Sequence, residues 1–330
     1  MKALVTGGAG FLGLEIARRL RARGDEVRSF SRGAHPELGR EGIETMRGDV
    51  ADTSALTRAT EGCDVVFHVA AKVGGWGARA DFLRTNVEGT RNVIEACRAA
   101  GVSRLVFTST PSVVHGGKDV AGGDERLPYA DRYEAAYPAT KAQAEALVLA
   151  ANGDDLATVA LRPHLVWGPG DRHLLPRLLS RARSGRLRLV GDGRNLIDAT
   201  YVDNAAEAHL NACDRLGSNA PCAGRAYFIA NDEPRPARDL IAGVLAAADL
   251  PPPERYVSPR AAWLAGALAE AVYALSGRKE EPPITRFAAR QLATAHWFDL
   301  SAARRDLGYA PSISTDEGLD RLRRHLLTVA

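Results

Sequence analysis

The clearest chemical signal in the sequence is a tyrosine followed four positions later by a lysine, Tyr137 and Lys141. On a helix the two side chains lie one turn apart on one face. A neighbouring ammonium group favours tyrosinate and lowers the phenol pKa from about 10. Such a phenol donates a proton to a carbonyl, or accepts one from an alcohol, while hydride is exchanged with a nicotinamide. Pro138 suits a first helical position, which predicts that Tyr137 lies just before the helix. The alternative is a helix-start tyrosine with a solvated lysine.

A cluster of hydroxyl groups follows a predicted strand at residues 104–108. Ser109, Thr110 and Ser112 would then lie at the carboxyl edge of a parallel sheet, where ligands bind in open α/β folds. A hydroxyl at this edge can hydrogen-bond a substrate oxygen beside the tyrosine. Hydroxyl-rich strand ends are common, so the cluster indicates an active site only in combination with Tyr137 and Lys141.

A glycine loop at the start of the chain predicts a dinucleotide site. Gly8, Gly10 and Gly13 have the G-x-G-x-x-G spacing, directly after one predicted strand and at the opening of a helix. Such glycines permit the tight turn, the approach of a pyrophosphate to the backbone, and close helix–strand packing. The free N–H groups at the helix start then face the phosphates. A simple glycine-rich turn is the alternative interpretation.

The end of the second predicted strand indicates which dinucleotide binds. A site that prefers NAD carries Asp or Glu there for the ribose 2′-hydroxyl. The sequence instead has Ser31 and Arg32, and a guanidinium can pair with a 2′-phosphate. We therefore expect NADP(H), although Arg32 is otherwise one of many surface arginines. Asp49, at the end of the third strand, is expected to contact the adenine end.

Strands and helices must alternate to bring these residues together, and the first half of the chain has that pattern. Apolar runs predict strands at 3–5, 27–31, 45–49, 64–69, 104–108 and 158–162, with helices at 13–23 and 86–100. The pattern predicts an α/β, Rossmann-type doubly wound parallel sheet. Further along, helices are expected at 172–184 and 205–215 and strands at 187–190, 198–202 and 227–230. The last of these returns to the main sheet, and the rest forms a smaller, mostly helical C-terminal substrate domain.

Composition narrows the class of protein. The 330 residues are 45% hydrophobic and 25% charged, which excludes a disordered chain. The 43 basic and 40 acidic residues are interspersed, so nucleic acid is not an expected partner. The four cysteines form no CxxC pair and the eight histidines no HExxH motif, so no metal is expected. Without a leader or a run of about 20 apolar residues, we expect a cytoplasmic protein with no transmembrane span.

Taken together, these residues resemble the extended short-chain dehydrogenase/reductase family. The resemblance covers nearly the whole chain, through TGGAGFLG at 6–13, GDVAD at 48–52, HVAA at 68–71, TNVEGTRNVIEAC at 85–97, LRPHLVWGPGD at 161–171 and YVDNAAEAH at 201–209. PPITRF at 282–287 and ARRDLGYAP at 303–311 resemble the 3β-hydroxysteroid dehydrogenase branch. STPSV at 109–113 and RLRLVGDG at 186–193 are similar to a bacterial subgroup that reduces 2-alkyl-3-oxoalkanoic acids with NADPH in long-chain olefin biosynthesis.

The resemblance implies a role for each matching residue. Tyr137 is implied as the catalytic acid and Lys141 as its activator and ribose contact. The family's catalytic serine falls on Thr110, which keeps the hydroxyl, while Ser109 or Ser112 remains an alternative. The implied cofactor contacts are Gly7, Gly10, Phe11, Leu12, Gly13, Ser31, Arg32, Asp49, Val50, Ala70, Ala71, Lys141 and Pro163.

A second set of residues bears on the substrate. Residues 261–275 carry one charge, Glu270, and are interpreted as a buried core helix, as a wall of an acyl groove, or as a patch near lipid. Trp76 and Trp167 are candidates for lining a pocket. His115 and His164 are candidates for contacting a substrate carboxylate, although a structural histidine is the commoner case.

The combined expectation is an NADP-dependent oxidoreductase that reduces the 3-keto group of a long-chain 2-alkyl-3-oxoalkanoic acid. A 3β-hydroxysteroid or sterol dehydrogenase is the nearest alternative, followed by a nucleotide-sugar epimerase and by a redox-sensing protein without turnover. Residues 1–165 are expected to form the NADP-binding domain, with 187–230 partly returning to it. Residues 166–186 and 231–330 are expected to bind substrate. Expected partners are the fatty β-keto acid, the lactone-forming and decarboxylating enzymes of the pathway, and a second copy in a homodimer.

Overall fold

The structure is a computed structural model that describes residues 1–278 and 280–329. Its first half alternates strands with helices. The elements are β1 Lys2–Thr6, α1 Phe11–Ala22, β2 Glu26–Ser31, α2 Pro36–Arg40, β3 Glu44–Arg47, α3 Thr53–Thr60, β4 Val65–His68, α4 Arg79–Phe82, α5 Gly89–Ala99, β5 Arg104–Thr108, β6 Val120–Gly123, α6 Ala136–Ala150 and β7 Ala157–Pro163. A π-helical turn, Leu83–Glu88, joins α4 to α5, and a 3₁₀ turn, Pro111–Val113, follows β5.

The second half consists mostly of helices and two-residue strands. The elements are β8 Val166–Trp167, α7 Leu174–Arg183, β9 Leu189–Val190, β10 Leu196–Ile197, β11 Thr200–Tyr201, α8 Val202–Arg215, β12 Arg225–Ile229, β13 Arg235–Pro236, α9 Ala237–Ala247, β14 Tyr256–Val257, α10 Pro259–Leu275, α11 Arg286–Ala293, β15 His296–Phe298, α12 Ser301–Leu307 and α13 Thr315–Val329. No helix among the described residues is long and apolar enough to cross a bilayer.

The centre of the fold is a seven-stranded parallel sheet in the order β12-β7-β5-β4-β1-β2-β3. Strands β4 and β7 are buried along their whole length, because helices cover both faces of the sheet. The strand order reverses between β1 and β4, and ligands of open α/β sheets bind outside such a switch point. The predicted Rossmann-type fold is confirmed.

The remaining strands lie outside this sheet. A smaller sheet has the order β13-β10-β15-β6, and two parallel pairs join β11 to β8 and β14 to β9. The strand expected at 227–230 is β12, which pairs in parallel with β7. The helical character predicted for the C-terminal part is confirmed by α9 to α13.

Three local predictions are wrong. Helix α6 begins at Ala136, so Tyr137 belongs to the helix rather than preceding it. Pro138 is tolerated there because the first N–H groups of a helix have no intrahelical partner. The strand expected at 198–202 is only Thr200–Tyr201, since Val202 already begins α8. Of the three interpretations of residues 261–275, the helix buried all round is wrong, because Leu268 of α10 is 68% exposed.

A buried ion pair attaches α6 to the sheet. Arg162 of β7 donates two hydrogen bonds to Glu145 of α6, at 2.6 and 3.0 Å, and the two side chains are 5% and 0% exposed. The Tyr129 hydroxyl donates a third bond to Glu145 at 2.9 Å. Each charge depends on the other, because an unpaired ion in this position would have no water to solvate it.

The Glu145–Arg162 pair generates a stability prediction. Glu145→Gln should lower the free energy of unfolding by about 3–5 kcal/mol, because the Arg162 guanidinium stays buried without a counter-charge. The double variant Glu145→Leu/Arg162→Met should recover much of that loss, since both charges of the pair are removed together and Lys141, which loses Glu145, can release its proton because its pKa is about 7. Urea denaturation followed by circular dichroism measures both.

The matched control is the surface pair of Arg98 and Asp155, whose side chains are 47% and 61% exposed. Asp155→Asn should cost less than about 1 kcal/mol, as is usual for exposed pairs. A double variant at 145 and 162 that is less stable than Glu145→Gln alone would contradict the interpretation.

Candidate active site

Lys141 is held in the interior by the end of β5. Its ammonium group donates a 2.6 Å hydrogen bond to the Thr108 carbonyl and lies 4.0 Å from the centre of the Phe107 ring. The side chain is buried, and this burial lowers the pKa of Lys141 to about 7, although the negative charge of Glu145 opposes the shift. The lysine is therefore poised to exchange a proton near neutral pH.

Tyr137 and Thr110 face each other across the edge of the sheet. Burial raises the pKa of Tyr137 above its ordinary value, and a hydrogen bond with the Thr110 hydroxyl partly offsets this effect. The expected lowering of the Tyr137 pKa by Lys141 is therefore wrong, because the ammonium group is directed at the Thr108 carbonyl. A raised pKa keeps the phenol protonated, which is the state that donates a proton to a carbonyl.

The three candidate hydroxyl groups have different surroundings. Thr110 Oγ1 accepts a 3.2 Å hydrogen bond from the Ser112 backbone N–H and donates to Ser112 Oγ at 3.3 Å. The Ser109 hydroxyl is buried and has no hydrogen-bond partner among the described residues. Of the three, Thr110 is the residue whose hydroxyl lowers the pKa of Tyr137. This proximity favours Thr110, whose own hydroxyl is held by Ser112.

Asn86 is a site residue that the sequence reasoning missed. Its buried amide donates to the Lys72 carbonyl and to Thr140 Oγ1, both at 3.0 Å, and its oxygen accepts from the Lys72 N–H at 2.8 Å. These bonds attach the loop after β4 to α6 next to Lys141. Asn86 lies in the π-helical turn, a feature that is frequent at functional sites. An asparagine inside a predicted helix was the available signal.

The glycine loop fits a dinucleotide. Gly7 has φ +69°, and a Cβ atom there would lie 3.0 Å from the Ala70 backbone. A Cβ atom on Gly13 would lie 2.3 Å from the Gly7 carbonyl oxygen. Neither position accepts a side chain, so the loop stays tight against β4. The N–H groups of Phe11, Leu12 and Gly13, the first residues of α1, have no partner within the helix and suit a phosphate.

The residues expected around the rest of the cofactor lie along the same sheet edge. Arg32 is exposed after β2, and its carbonyl accepts a 3.0 Å bond from Arg47 Nε, which brings a second guanidinium group to this corner. The Asp49 carboxylate accepts from Arg84 at 2.9 Å. The other expected contacts also lie at strand ends, with Ser31 ending β2, Val50 after β3, Ala70 and Ala71 after β4, and Pro163 ending β7.

Helix α11 bridges the two loops that surround Tyr137. Phe287, in its first turn, lies against Gly75 of the loop after β4, where a Cβ atom would be 3.4 Å from the ring. Gln291, one turn later, donates a 3.2 Å bond to His115 of the loop after β5. Both loops begin at the carboxyl ends of central strands, so α11 lies on that side of the sheet.

The two candidate histidines lie together with a third. His115 Nε2 is 3.0 Å from His296 Nε2, and the His164 ring is 5.5 Å from that of His296. Burial lowers the pKa of His164 to about 4 and of His296 to about 2. The rings are therefore neutral near pH 7. His164 Nδ1–H donates to the Asp198 carbonyl, and His115 Nδ1 accepts from Gln291, so these histidines are held by the protein's own hydrogen bonds.

The two tryptophans differ in position. Trp76 lies in the loop after β4, and its ring is perpendicular to that of Tyr273 with 6.4 Å between centroids, so it contacts α10. Trp167 is 4% exposed and packs against Tyr201 in the core. Trp167 is thus a structural residue rather than part of a pocket.

Comparisons with known proteins find relatives that match along nearly the whole chain. The model of the 3-beta hydroxysteroid dehydrogenase/isomerase family matches residues 4–260. The 2-alkyl-3-oxoalkanoate reductase of Stenotrophomonas maltophilia is 52% identical over 325 residues, covering 98% of each chain. The protein of that name from Shewanella oneidensis is 46% identical over 98% of this chain and 86% of its own. The crystal structure of Thermus thermophilus UDP-glucose 4-epimerase with NAD superposes with a TM-score of 0.77 at 27% identity and covers 100% of both chains.

The geometry around Tyr137 yields a prediction. Tyr137→Phe removes the proton donor but keeps the ring, so turnover should fall by about 10² or more while dinucleotide affinity is retained. Steady-state kinetics and fluorescence titration of the dinucleotide measure the two quantities.

The matched control is Tyr133→Phe, which removes a nearby hydroxyl that donates to the Val113 carbonyl at 2.7 Å. Its turnover should stay close to that of the wild type. Near-normal turnover of Tyr137→Phe would remove Tyr137 from the proposed role.

Proposed function

The chain belongs to the 3-beta hydroxysteroid dehydrogenase/isomerase family, a branch of the extended short-chain dehydrogenases/reductases, and we propose that it reduces the 3-keto group of long-chain 2-alkyl-3-oxoalkanoic acids with NADPH. The observation that carries this proposal is the full-length similarity to two 2-alkyl-3-oxoalkanoate reductases, in a chain that keeps Tyr137, Lys141 and Thr110 together. Residues 1–165 would hold the cofactor, with 187–230 partly returning to them, and 166–186 with 231–330 would bind substrate.

The arrangement of side chains suits ketone reduction. Thr110 and Tyr137 present two hydroxyl groups that would hold the ketone oxygen of the substrate. Tyr137, kept protonated by its raised pKa, gives its proton to that oxygen as the carbonyl carbon is reduced. Lys141, whose pKa is about 7, is the nearby acid that would replace this proton once its ammonium group turns from the Thr108 carbonyl. A bound nicotinamide supplies the hydride.

Two arginines support NADPH as the reductant. Arg32 and Arg47 meet at the end of β2, where a 2′-phosphate would lie, and Arg32 is exposed. The acidic residue of this region, Asp49, already accepts hydrogen bonds from Arg84 and from the Ala51 N–H. A guanidinium pair would attract a phosphate group and would gain little from a free ribose hydroxyl.

The side chains around the site favour an apolar substrate. Phe287 and Trp76 would border the entrance, and the neutral histidines His115, His164 and His296 lie near the Thr110 loop. Two alkyl arms would lie against the aromatic side chains. A uracil-binding, polar pocket of the kind an epimerase needs is less compatible with these residues.

Three other functions are kept as alternatives. A 3β-hydroxysteroid or sterol dehydrogenase would use the same Tyr137, Lys141 and Thr110, and the description of the matching family favours it as the second candidate. A nucleotide-sugar epimerase is less favoured. A redox-sensing protein would need no proton donor, so the assembled Tyr137 and Lys141 argue against it.

The product would be a 2-alkyl-3-hydroxy acid, and the enzymes that form its lactone and remove carbon dioxide would be the functional partners. We place the reaction in the cytoplasm, where the four buried, free cysteines are expected to stay reduced. A homodimer is part of the same proposal.

Cofactor choice is tested at Arg32. Arg32→Ala should weaken NADPH binding by about 1.5–3 kcal/mol, the range for hydrogen bonds to charged groups, while NADH binding should hardly change. Isothermal titration calorimetry with both cofactors measures the difference. Equal losses for NADPH and NADH would show that Arg32 is structural.

The substrate class is tested with a homologous series of 3-oxo acids, with and without a 2-alkyl branch. Each CH₂ that becomes buried contributes about 0.8 kcal/mol, so kcat/KM should rise up to about four-fold per carbon until the groove is filled. Phe287→Ala should flatten this rise, since the ring borders the entrance.

Leu327→Ala, which shortens an exposed side chain of α13, is the control and should leave the rise unchanged. A flat response of the wild type across the series, together with activity on a 3β-hydroxysteroid, would favour the second candidate.

A further inference from the structure

The first turn of α6 begins without a side-chain cap. Its N-cap residue is Ala135, and alanine has no oxygen that could accept from the free N–H groups of the helix start. Tyr137 is the second residue of this turn. Helix ends without such a partner fray, so the turn that carries the proton donor depends on contacts outside the helix.

Glu134, the residue before the N-cap, makes such contacts. Its Oε1 accepts a 3.0 Å hydrogen bond from the indole N–H of Trp263 on α10 and a 3.3 Å hydrogen bond from Arg290 Nε on α11. A carboxylate at this position also lies toward the positive end of the α6 dipole. One side chain therefore joins the start of α6 to both α10 and α11.

Trp263 is itself held by α11. The guanidinium groups of Arg286 and Arg290, which lie one turn apart, are each 5.9 Å from the indole ring. The ring also packs against a buried apolar cluster that contains Val190 and Ala289. These contacts fix the ring, because cation–π attraction and packing act on it together, and they fix the direction in which its N–H donates.

Arg290 also contacts the segment on the other side of the site. A Cβ atom on Gly117, in the loop that follows Thr110, would lie 3.6 Å from Arg290 Cδ. The next residue of α11, Gln291, donates a 3.2 Å bond to His115 of the same loop. Helix α11 thus contacts the segment before Tyr137 and the loop after Thr110, between which the ketone oxygen would be held.

We propose that Glu134 is a positioning residue, which holds the first turn of α6 through Trp263 and Arg290 and so keeps the Tyr137 hydroxyl opposite Thr110. The proposal rests on the proposed function, in which Tyr137 gives its proton to a ketone. The Glu145–Arg162 pair holds α6 two turns further along and leaves the first turn to Glu134. Because α10 and α11 belong to the part of the chain that would bind substrate, their placement is coupled to that of the proton donor.

Single-turnover kinetics test the proposal on the full chain. Enzyme loaded with one equivalent of NADPH is mixed with a saturating 3-oxo acid, and NADPH absorbance is followed. The rate constant reports the chemical step in folded enzyme, whereas a loss of folded protein lowers only the amplitude. Glu134→Ala should lower the rate constant about ten-fold, as expected for losing a hydrogen bond to a charged group, with amplitude and NADPH affinity unchanged. Glu134→Gln should lie between, since its amide oxygen still accepts from Trp263.

Variants of the two partners test the route. Trp263→Phe removes the N–H donor but keeps a ring for the arginines, and Arg290→Gln removes the ion pair. Each should lower the rate constant, and neither should lower it further in combination with Glu134→Ala, because all three changes remove the same anchor.

The matched controls are Asp131→Asn, an exposed carboxylate in the loop of Glu134, and Arg91→Gln, an exposed arginine of α5. Their rate constants should stay within about two-fold of the wild type, as is usual for surface substitutions.

Hydrogen exchange measures the first turn of α6 without any substrate. The amides of Thr140 and Lys141 bond to the carbonyls of Ala136 and Tyr137, because helical N–H groups donate to the residue four positions earlier. Opening of the first turn releases both amides, so they should exchange about ten-fold faster in Glu134→Ala, while the amides of β7 should exchange at the wild-type rate.

Three results would overturn the proposal. The first is a rate constant of Glu134→Ala that matches the wild type. The second is unchanged exchange of Thr140 and Lys141 in that variant. The third is a slow Glu134→Ala enzyme beside Trp263→Phe and Arg290→Gln enzymes of normal rate, since Glu134 would then act without α10 and α11. A wild type that oxidises NADPH with no 3-oxo acid would instead contradict the proposed function, and the exchange measurement would decide the role of Glu134 alone.

Discussion

The burial of one ammonium group, that of Lys141, constrains the arrangement of the site. A lysine that lies 2.6 Å from a carbonyl and against the Phe107 ring, away from water, can stay protonated only if its surroundings supply negative charge. Glu145, one turn later on α6, supplies it. Glu145 is itself fully buried, so it needs Arg162 on β7, and the resulting alternation of charges fixes α6 against the sheet. Because Tyr137 also lies on α6, these paired charges fix the position of its hydroxyl group.

The backbone around the site is also closely packed. A side chain at Gly7 would press on the Ala70 backbone after β4, and one at Gly13 would collide with the Gly7 carbonyl oxygen. The loop after β4 is in turn attached to α6 by the Asn86 amide, through Lys72 and Thr140. The dinucleotide loop, the lysine helix and the Thr110 loop are therefore connected by packing and hydrogen bonds. A displacement of any one of these three segments would therefore displace the other two, because close-packed interiors transmit strain.

The parts of the fold and of the site that depend on residues close together in the chain could be predicted from the sequence. The spacing of Tyr137 and Lys141, the glycine loop and the alternation of strands with helices each lie within a few residues of the chain, and the sheet confirms the alternation. The Glu145–Arg162 pair could not be found in this way, because its partners are on different elements and the carboxylate resembles any helical glutamate. The pKa of Tyr137 was predicted with the wrong sign, since spacing shows that a lysine is near but not where its ammonium group points.

Helix α10 shows why composition alone could not distinguish its faces. Residues 261–275 are apolar nearly all round, so their sequence lacks the period that separates a buried face from an exposed one. Two residues determine instead which face of α10 is buried. Gly266 leaves room for the backbone of residues 285–286, and Glu270 forms an ion pair with Arg286. The same pair sets the first turn of α11, which carries Phe287 to the loop after β4. Helix α10 thus fixes where α11 begins, through close packing at Gly266 and through the two hydrogen bonds that Glu270 accepts from Arg286.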